Sequence, residues 1–241
     1  MAFISDIKQF PTPAAFAAYL NTLPQPNWPG AGPIGSTGHN TYRPTAAQWR
    51  GKPTMESMIS TYIGKGWDRG PHFYFVAGAP KPAHNGIWIM TSPTMPGTHA
   101  GACNTDHFGC ELVGDFQATA PSLPLQRLFL DTLVILHTWA RIGAVLNAHR
   151  DCMPGRTCPG NAMYAIMPRL QAQLAVRLAP IPDTPQMPDP LRAEKLPAPG
   201  GKTVACSAAT AGFYAVRGGA ALFGLARLGG TASGSSGTVV V

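Results

Sequence analysis

Charged residues are scarce in this sequence. Only 12% of the 241 residues are Asp, Glu, Lys or Arg, about half the usual share for a soluble domain. Acidic residues are the scarcer kind: 11 stand against 18 Lys and Arg, which gives a net charge of +7. This charge suits an anionic partner, such as a membrane or a cell-wall polymer. The cations form no run and no basic helix carries interleaved aromatics, so we expect no nucleic-acid partner.

The sequence also lacks a recognisable export signal. Its first residues, MAFISDIKQF, carry Asp6 and show no apolar run behind a basic start, so we expect no Sec-type signal peptide. We therefore expect synthesis in a reducing bacterial cytoplasm. The five Cys are an odd number in a chain too long to be a disulfide scaffold. At least one of them is then unpaired or a ligand.

Glycine and proline are abundant, with 27 and 25 residues, and their placement predicts the domain organisation. Residues 1–178 form the folded domain. Residues 179–201 hold seven prolines, which is typical of a linker or strap. Residues 202–241 are a Gly- and Ala-rich tail.

The tail allows two interpretations. Between Lys202 and Arg217 lie 14 uncharged residues, too few for the ~20 that span a bilayer. The tail is either loosely ordered or a membrane-interacting segment, in which Arg217, Arg227 and nearby apolar side chains lie at an anionic interface. No pattern indicates an oligomeric state.

Hydrophobic periodicity predicts a mixed α/β domain. Strand-like and helix-like segments alternate without a strict βαβ repeat, so we expect a central mixed β-sheet with helices on both faces. The expected helices follow Thr12, with Pro13 at the first position, follow Thr54 as N-cap, span 125–143, and span 168–178 with Pro168 at the start. The expected strands lie within 32–41, 72–77, 86–90, 109–116 and 144–149.

One short stretch, HRDCMPGRTCPG (149–160), has the composition of a metal site. His149 lies at the end of a predicted strand, and Cys158 lies nine residues later in a turn braced by Pro159. Zinc accepts imidazole and thiolate, and catalytic zinc sites use three protein ligands. His39, near the end of another predicted strand, is the best third candidate. On spacing alone, an ordinary loop histidine is the favoured interpretation of His39.

Five motifs in order carry a family resemblance. GHNTYRPTAAQW, GWDRGPHFYF, PGTHAGACN, GCELVGDF and HRDCMPGRTCPG together resemble the zinc-dependent N-acetylmuramoyl-L-alanine amidases, the amidase-2 or peptidoglycan-recognition family, in its phage and prophage endolysin branch. The likeness runs from about residue 10 to residue 178. It implies an amidase-like fold and a Zn²⁺ ion bound by His39, His149 and Cys158, with Cys152 as a bystander.

The resemblance also implies roles around the metal. Zinc would activate the water that attacks the amide between the lactyl group of N-acetylmuramic acid and L-alanine. Glu111 matches a general base, although a solvated strand residue is the alternative. Arg156 stands where relatives often have Lys, and either stabilises the oxyanion or only contacts the wall. His99, Asn104 and Thr157 are expected to bind substrate, although Asn104 could instead serve its turn.

The sequence also departs from the family just before His72. Some phage members place a catalytic Tyr before the His of a YHF stretch, whereas this chain has Pro71. The base role then falls more heavily on Glu111. Of the remaining residues, His72 is expected to order the sheet, His137 to be a satisfied helix residue, and His84 and His107 to lie in loops. Cys103, Cys110 and Cys206 are expected to act as small apolar residues.

These observations predict a zinc amidase that degrades bacterial peptidoglycan, as a phage endolysin or a virion-borne lysin. It would be made in the host cytoplasm and reach the wall through holin-type lesions or in the virion. The alternatives are a non-catalytic peptidoglycan-binding module, a structural phage protein with the same fold, and a cytosolic amidase that recycles muropeptides.

Overall fold

The computed structural model describes residues 2–30 and 32–179, and they form a mixed α/β domain. A six-stranded sheet has the order β1-β4-β3-β5-β2-β6. The strands are β1 (Lys8–Phe10), β2 (Gly35–Asn40), β3 (Phe73–Val76), β4 (Gly86–Ile89), β5 (His107–Leu112) and β6 (Leu146–Ala148). The helices are α1 (Pro13–Leu20), α2 (Lys52–Gly64), α3 (Leu123–Ala140), α4 (His149–Cys152) and α5 (Asn161–Leu178).

Helices cover both faces of the sheet, as the sequence predicts. On one face, α1, α3 and α5 pack against the apolar side chains of the central strands. Phe73 and Phe108 from the strands and Phe129 from α3 belong to this cluster. On the other face, α2 contributes Met55 and Tyr62 to a smaller cluster with Tyr74 and Trp88. The expected linker, the tail and its membrane contact lie outside the described residues. Among the described helices, none is long and apolar enough to cross a membrane.

Strand β2 is buried although its sequence, GSTGHN, has little apolar surface. Small residues are needed here because other elements approach closely. A Cβ on Gly35 would lie 2.7 Å from the Val145 Cβ, and one on Gly38 would lie 3.1 Å from the Met167 Cε. The strand is therefore held by parallel pairing with β5 and β6 on either side.

Two helix starts differ from the sequence prediction. Helix α2 begins at Lys52 behind Gly51, and the Thr54 hydroxyl accepts from the Arg50 N–H instead of capping the helix. Helix α5 begins seven residues before Pro168, which lies inside it. The buried stripe of Met163, Met167, Leu170 and Leu174 continues through the proline, so packing outweighs the lost backbone hydrogen bond.

Several shorter differences change where single residues lie. Strand β1 was not predicted, because three residues give too short a pattern. Strand β5 begins at His107, so His107 is a buried strand residue and not a loop residue. Strand β6 is shorter than expected and ends at Ala148, so His149 starts the next helix.

Two fully buried histidines outside the cavity are held neutral. His72 Nδ1 accepts from the Gly109 N–H at 2.9 Å, and its Nε2–H donates to the Met95 carbonyl at 3.0 Å. His137 Nδ1–H donates to the Gly143 carbonyl at 2.7 Å, and Nε2 accepts from the Ser36 hydroxyl at 2.8 Å. Burial lowers the pKa of each to about 4. Both therefore order the core as neutral rings.

We predict a loss of stability in weak acid from these two residues. Because their folded pKa values lie below the ordinary 6.5, their contribution is complete above pH 6.5 and is lost as the pH falls toward 4. The loss is of the order of 3 kcal/mol for each histidine. Urea unfolding at pH 7 and pH 4 measures it, and His137→Asn should reduce the pH slope. Equal unfolding free energies of the wild type at both pH values would contradict this.

Candidate metal centre

A cavity of about 590 Å³ opens at the carboxyl ends of the parallel strands. Strands β2, β5 and β6 run parallel, and His39, Glu111 and His149 lie at or just beyond their ends. His39 and Glu111 are register partners, so their side chains extend from the same face of the sheet. Crevices at the carboxyl ends of such strands are where open α/β sheets bind ligands.

His39, His149 and Cys158 meet in this cavity. Their ligand atoms lie within 4.8 Å of one another, and His39 Nδ1 is 3.6 Å from the Cys158 Sγ. Around a tetrahedral zinc ion, a nitrogen and a sulfur ligand are separated by roughly 3.5 Å. Two imidazoles and one thiol therefore fit Zn²⁺ and leave a fourth position for water or substrate.

The chain fixes the ligands that follow β6 through local hydrogen bonds. Asp151 accepts from the Ala148 N–H at 2.7 Å, which starts the short helix α4 with His149 at its first position. The Arg150 N–H donates to the Cys158 carbonyl at 3.2 Å, and the Asn40 N–H points at the Cys158 Sγ at 3.5 Å. The turn that carries Cys158 is thereby tied to both strand ends.

A chain of imidazoles orients the first ligand. His99 Nε2–H donates to the His107 carbonyl at 3.0 Å, which leaves His99 Nδ1 as an acceptor. His39 Nε2–H then donates to that nitrogen at 3.1 Å. The proton of His39 is therefore on Nε2, and the lone pair on Nδ1 faces Cys158. Such outer partners fix the tautomer of a metal-binding histidine.

We predict that His99→Ala weakens zinc binding. Without the acceptor for Nε2–H, the His39 ring loses both its tautomer preference and its orientation, so zinc affinity should fall about 10- to 100-fold. Competition with a chromophoric chelator measures this affinity. His84→Ala, a histidine outside the cavity, is the matched control and should retain wild-type affinity. Equal affinities for the wild type and His99→Ala would remove this role from His99.

Burial keeps the imidazole ligands neutral. It lowers the pKa of His39 well below 6.5, and the neighbouring His99 and His149 lower it further. Burial and then the charge of Arg156 lower the pKa of His149. Burial raises the pKa of Cys158 to about 12, which a cation at the site would reverse by favouring the thiolate.

Glu111 is the carboxylate nearest to these ligands. Its Oε1 lies 3.8 Å from His39 Nδ1, and the residue is 8% exposed. Burial raises the pKa of Glu111 to about 8, while the charge of Lys65 lowers it. Glu111 is therefore a buried strand residue whose carboxylate adjoins the metal site, not a solvated one.

The remaining predicted residues also surround the cavity. Arg156 and Thr157 line it. Asn104 lines an adjoining cavity of about 360 Å³ that shares His99, His149 and Arg156. The Asn104 Oδ1 accepts from the His99 and Ala100 N–H groups, both at 2.7 Å, so it serves its turn. Both His99 ring nitrogens are engaged within the protein. Substrate binding by His99, Asn104 and Thr157 stays a prediction.

Two of the cysteines are paired, which corrects the sequence interpretation. Cys103 and Cys152 form a disulfide with a Cα–Cα distance of 5.8 Å, so Cys103 is not merely a small apolar residue. Cys152 stands outside the candidate ligand group, as expected, but it has this structural partner. Their pairing could not be read from spacing, because 49 residues separate them. The bond joins the turn that carries Asn104 to the end of α4, which begins with His149.

A second metal-like group, made of Cys103, Asp106 and His107, does not fit an ion in this state. The sulfur of Cys103 is used by the disulfide. The two His107 ring nitrogens already contact the Asp106 carboxylate at 2.6 Å and the Asn147 amide at 3.1 Å.

We predict that the disulfide stabilises the domain. The bond closes a loop whose ends are 49 residues apart, so the double variant Cys103→Ser/Cys152→Ser should lose about 2–4 kcal/mol of unfolding free energy. Guanidinium unfolding with and without a reductant measures the effect. The reductant should destabilise the wild type and leave the double variant unchanged, and an unaffected wild type would contradict the prediction.

Sequence reasoning missed the cavity's helical wall. Helix α2 and the segment after it contribute Tyr62, Lys65 and Trp67 to the lining. In the sequence, Tyr62 belongs to the apolar stripe of a helix. Its hydroxyl is the one sequence feature that could have indicated a role in the cavity. Arg43 also lines the cavity. With Lys65 and Arg156, it makes three cationic lining side chains against one carboxylate, that of Glu111.

The chain matches no protein-family model and no curated protein. It is similar to solved structures that cover more than half of it. An endolysin N-acetylmuramoyl-L-alanine amidase from Clostridium intestinale is 21% identical over 59% of this chain and 83% of its own, with a TM-score of 0.43. Drosophila PGRP-LB is 21% identical over 59% of this chain and 81% of its own, with a TM-score of 0.45. Bumblebee PGRP-SA is 15% identical over 66% of this chain and 93% of its own, with a TM-score of 0.49.

Those solved structures are amidases and peptidoglycan recognition proteins, the same family that the five motifs resemble. At these identities and TM-scores, the likeness carries no argument about an activity. The case for an activity therefore rests on the residues of the cavity.

Proposed function

We propose that this protein is a zinc-dependent N-acetylmuramoyl-L-alanine amidase that degrades bacterial peptidoglycan. One observation carries the proposal: His39, His149 and Cys158 converge within 4.8 Å in a cavity, and the Glu111 carboxylate lies 3.8 Å from His39. Three ligands, an open position and an adjacent carboxylate are the parts that metal-assisted hydrolysis requires. The identity of the substrate is inferred from the resemblance of the five motifs to the amidase family.

The chain's own residues account for the other steps. When bound, zinc supplies a Lewis acid, which makes water nucleophilic near neutral pH. A cation held by His39, His149 and Cys158 would favour the carboxylate form of Glu111. As a carboxylate, Glu111 accepts the proton of the attacking water and delivers it to the leaving nitrogen. Arg156 lines the cavity, and its charge lowers the pKa of His149. Arg156 therefore stabilises the negative charge that develops on the carbonyl oxygen, and its guanidinium does so without giving up a proton.

The cavity's charge also suits the substrate. Arg43, Lys65 and Arg156 border it with Glu111 as the one acidic lining residue. A peptide stem of peptidoglycan carries free carboxylates, so it is attracted to such a cavity. Action as a phage lysin on the wall, outside the reducing cytoplasm, would also allow the Cys103–Cys152 disulfide to persist.

Product analysis tests this proposal. Purified sacculi and soluble muropeptides are incubated with the protein, and the products are identified by mass spectrometry. We expect free stem peptides with an N-terminal L-alanine, and glycan strands that retain their length. Cleavage of soluble fragments alone would favour a recycling amidase. Binding to sacculi without cleavage would favour a recognition module, and neither binding nor cleavage would favour a structural phage protein.

A further inference from the structure

A tyrosine of α2 reaches the metal cavity. Tyr62 lines it together with His39, Glu111 and Cys158, and only 9% of the residue is exposed. Its ring is held in place by stacking on Trp67, with centroids 5.0 Å apart. The ring also packs against Gly70, where an added Cβ would lie 3.1 Å from the Tyr62 Cδ2 and Cε2. The phenol is therefore a fixed part of the cavity wall.

The Tyr62 hydroxyl is paired with a second tyrosine from the sheet. Tyr74 is the register partner of Glu111, and its hydroxyl lies 3.0 Å from the Tyr62 hydroxyl and 3.6 Å from the Met90 Sδ. Tyr74 has one proton for two contacts, and the Met90 thioether is the weaker acceptor, so the arrangement favours donation from Tyr74 to the Tyr62 oxygen. The Tyr62 proton is then not used by Tyr74, and Tyr62 lines the cavity.

The Tyr62 hydroxyl stays protonated at neutral pH and can therefore donate a hydrogen bond. Burial raises its pKa above the ordinary 10, and the charge of Glu111 raises it further. A protonated phenol next to a metal-assisted hydrolytic site can donate a hydrogen bond but does not compete with Glu111 for the proton of water.

The other hydroxyls that border the cavity are engaged or exposed. Thr41 donates to the Pro44 carbonyl at 2.7 Å and accepts from the Gly114 N–H at 3.0 Å. Thr61 donates to the Ser57 carbonyl at 3.2 Å. Tyr42 is 54% exposed, and Thr157 is exposed. Among the described lining residues, Tyr62 is therefore the buried hydroxyl with a proton to offer.

We infer that Tyr62 is a catalytic residue whose hydroxyl donates a hydrogen bond to the scissile carbonyl oxygen as that oxygen gains negative charge. The inference rests on the proposed amidase function. Water adds to the carbonyl carbon, the π pair moves to oxygen, and Glu111 holds the proton that water loses. Tyr62 keeps its own proton throughout. When the C=O bond re-forms, the C–N bond breaks and the nitrogen takes the proton from Glu111.

Tyr62→Phe tests the inference with steady-state hydrolysis of a soluble muropeptide. The variant keeps the ring that packs on Trp67 and Gly70 and removes the donor alone. We expect kcat to fall about 100-fold, as it does when one oxyanion donor is lost, with KM within about threefold of the wild type because the contact strengthens only in the transition state. Zinc content and the thermal midpoint should be unchanged. The matched control is Tyr19→Phe on α1, which loses a 3.0 Å hydrogen bond to Asp6 and should keep wild-type kcat.

The outcomes separate the two levels of the proposal. If the wild type hydrolyses the muropeptide and Tyr62→Phe does so at the same kcat, the role of Tyr62 is wrong and the amidase function stands. A wild type without hydrolysis removes both. A slow Tyr62→Phe that has also lost its zinc overturns the catalytic role in favour of a structural one. If Tyr62→Phe does not fold, Tyr74→Phe decides: removing the partner that orients Tyr62 should lower kcat roughly fivefold, and an unchanged kcat would refute the inference.

Discussion

Cys158→Ala is expected to purify without zinc and to release no stem peptide from sacculi. Cys158 supplies the thiolate of a three-ligand site, and His39 and His149 alone leave two positions without a protein ligand. The loss in metal affinity should therefore exceed the ~10–100-fold that follows from removing an outer partner of a ligand. Metal analysis of the purified variant, beside an activity assay, measures both effects.

The chain offers a matched control for this change. Cys110 is also a free cysteine, but it is fully buried in the core on the opposite face of the sheet. Cys110→Ala should lower stability slightly through lost packing and keep one zinc per chain. Equal zinc contents in Cys158→Ala and Cys110→Ala would contradict the assignment of Cys158 as a ligand.

Glu111→Gln is expected to retain zinc and lose activity. Gln preserves the shape of a residue that is 8% exposed but cannot accept the proton of water, so kcat should fall about 10²- to 10⁴-fold. Zinc content should stay at the wild-type level because Glu111 is not one of the three ligands. Hydrolysis of a soluble muropeptide and metal analysis of the same sample give both values.

Glu56→Gln provides the comparison for Glu111→Gln. Glu56 pairs with Lys52 on the exposed side of α2, and such surface pairs contribute little to stability. Its kcat should equal that of the wild type. If Glu111→Gln also retained wild-type kcat, another group would have to accept the proton, and the proposed base would be wrong.

The candidate metal ligands could be predicted only in part from local signals. His39 and His149 each lie at the end of a strand pattern, and Cys158 lies in a Pro-braced turn, but spacing alone favours an ordinary loop histidine at position 39. The resemblance of the ordered motifs to a known family is what singles out His39 and predicts that the three residues meet. The fold class followed from the mixture of strand and helix patterns.

The features that the sequence did not predict depend on packing between distant segments. The Cys103–Cys152 disulfide joins residues that only the folded sheet brings together. Helix α5 passes through Pro168 because its buried methionines and leucines outweigh a local breaker. Tyr62 has the pattern of a core residue, and its position beside Glu111 depends on how α2 crosses the sheet.

Removal and restoration of the metal test the central claim most directly. The purified protein is treated with a zinc chelator, dialysed, and assayed on sacculi before and after addition of one equivalent of Zn²⁺, with mass spectrometry of the released peptides. The account predicts stem peptides with an N-terminal L-alanine from the untreated protein, none after chelation, and recovery on zinc addition. Release that continues unchanged in the metal-free protein would contradict a metal-dependent amidase at His39, His149 and Cys158.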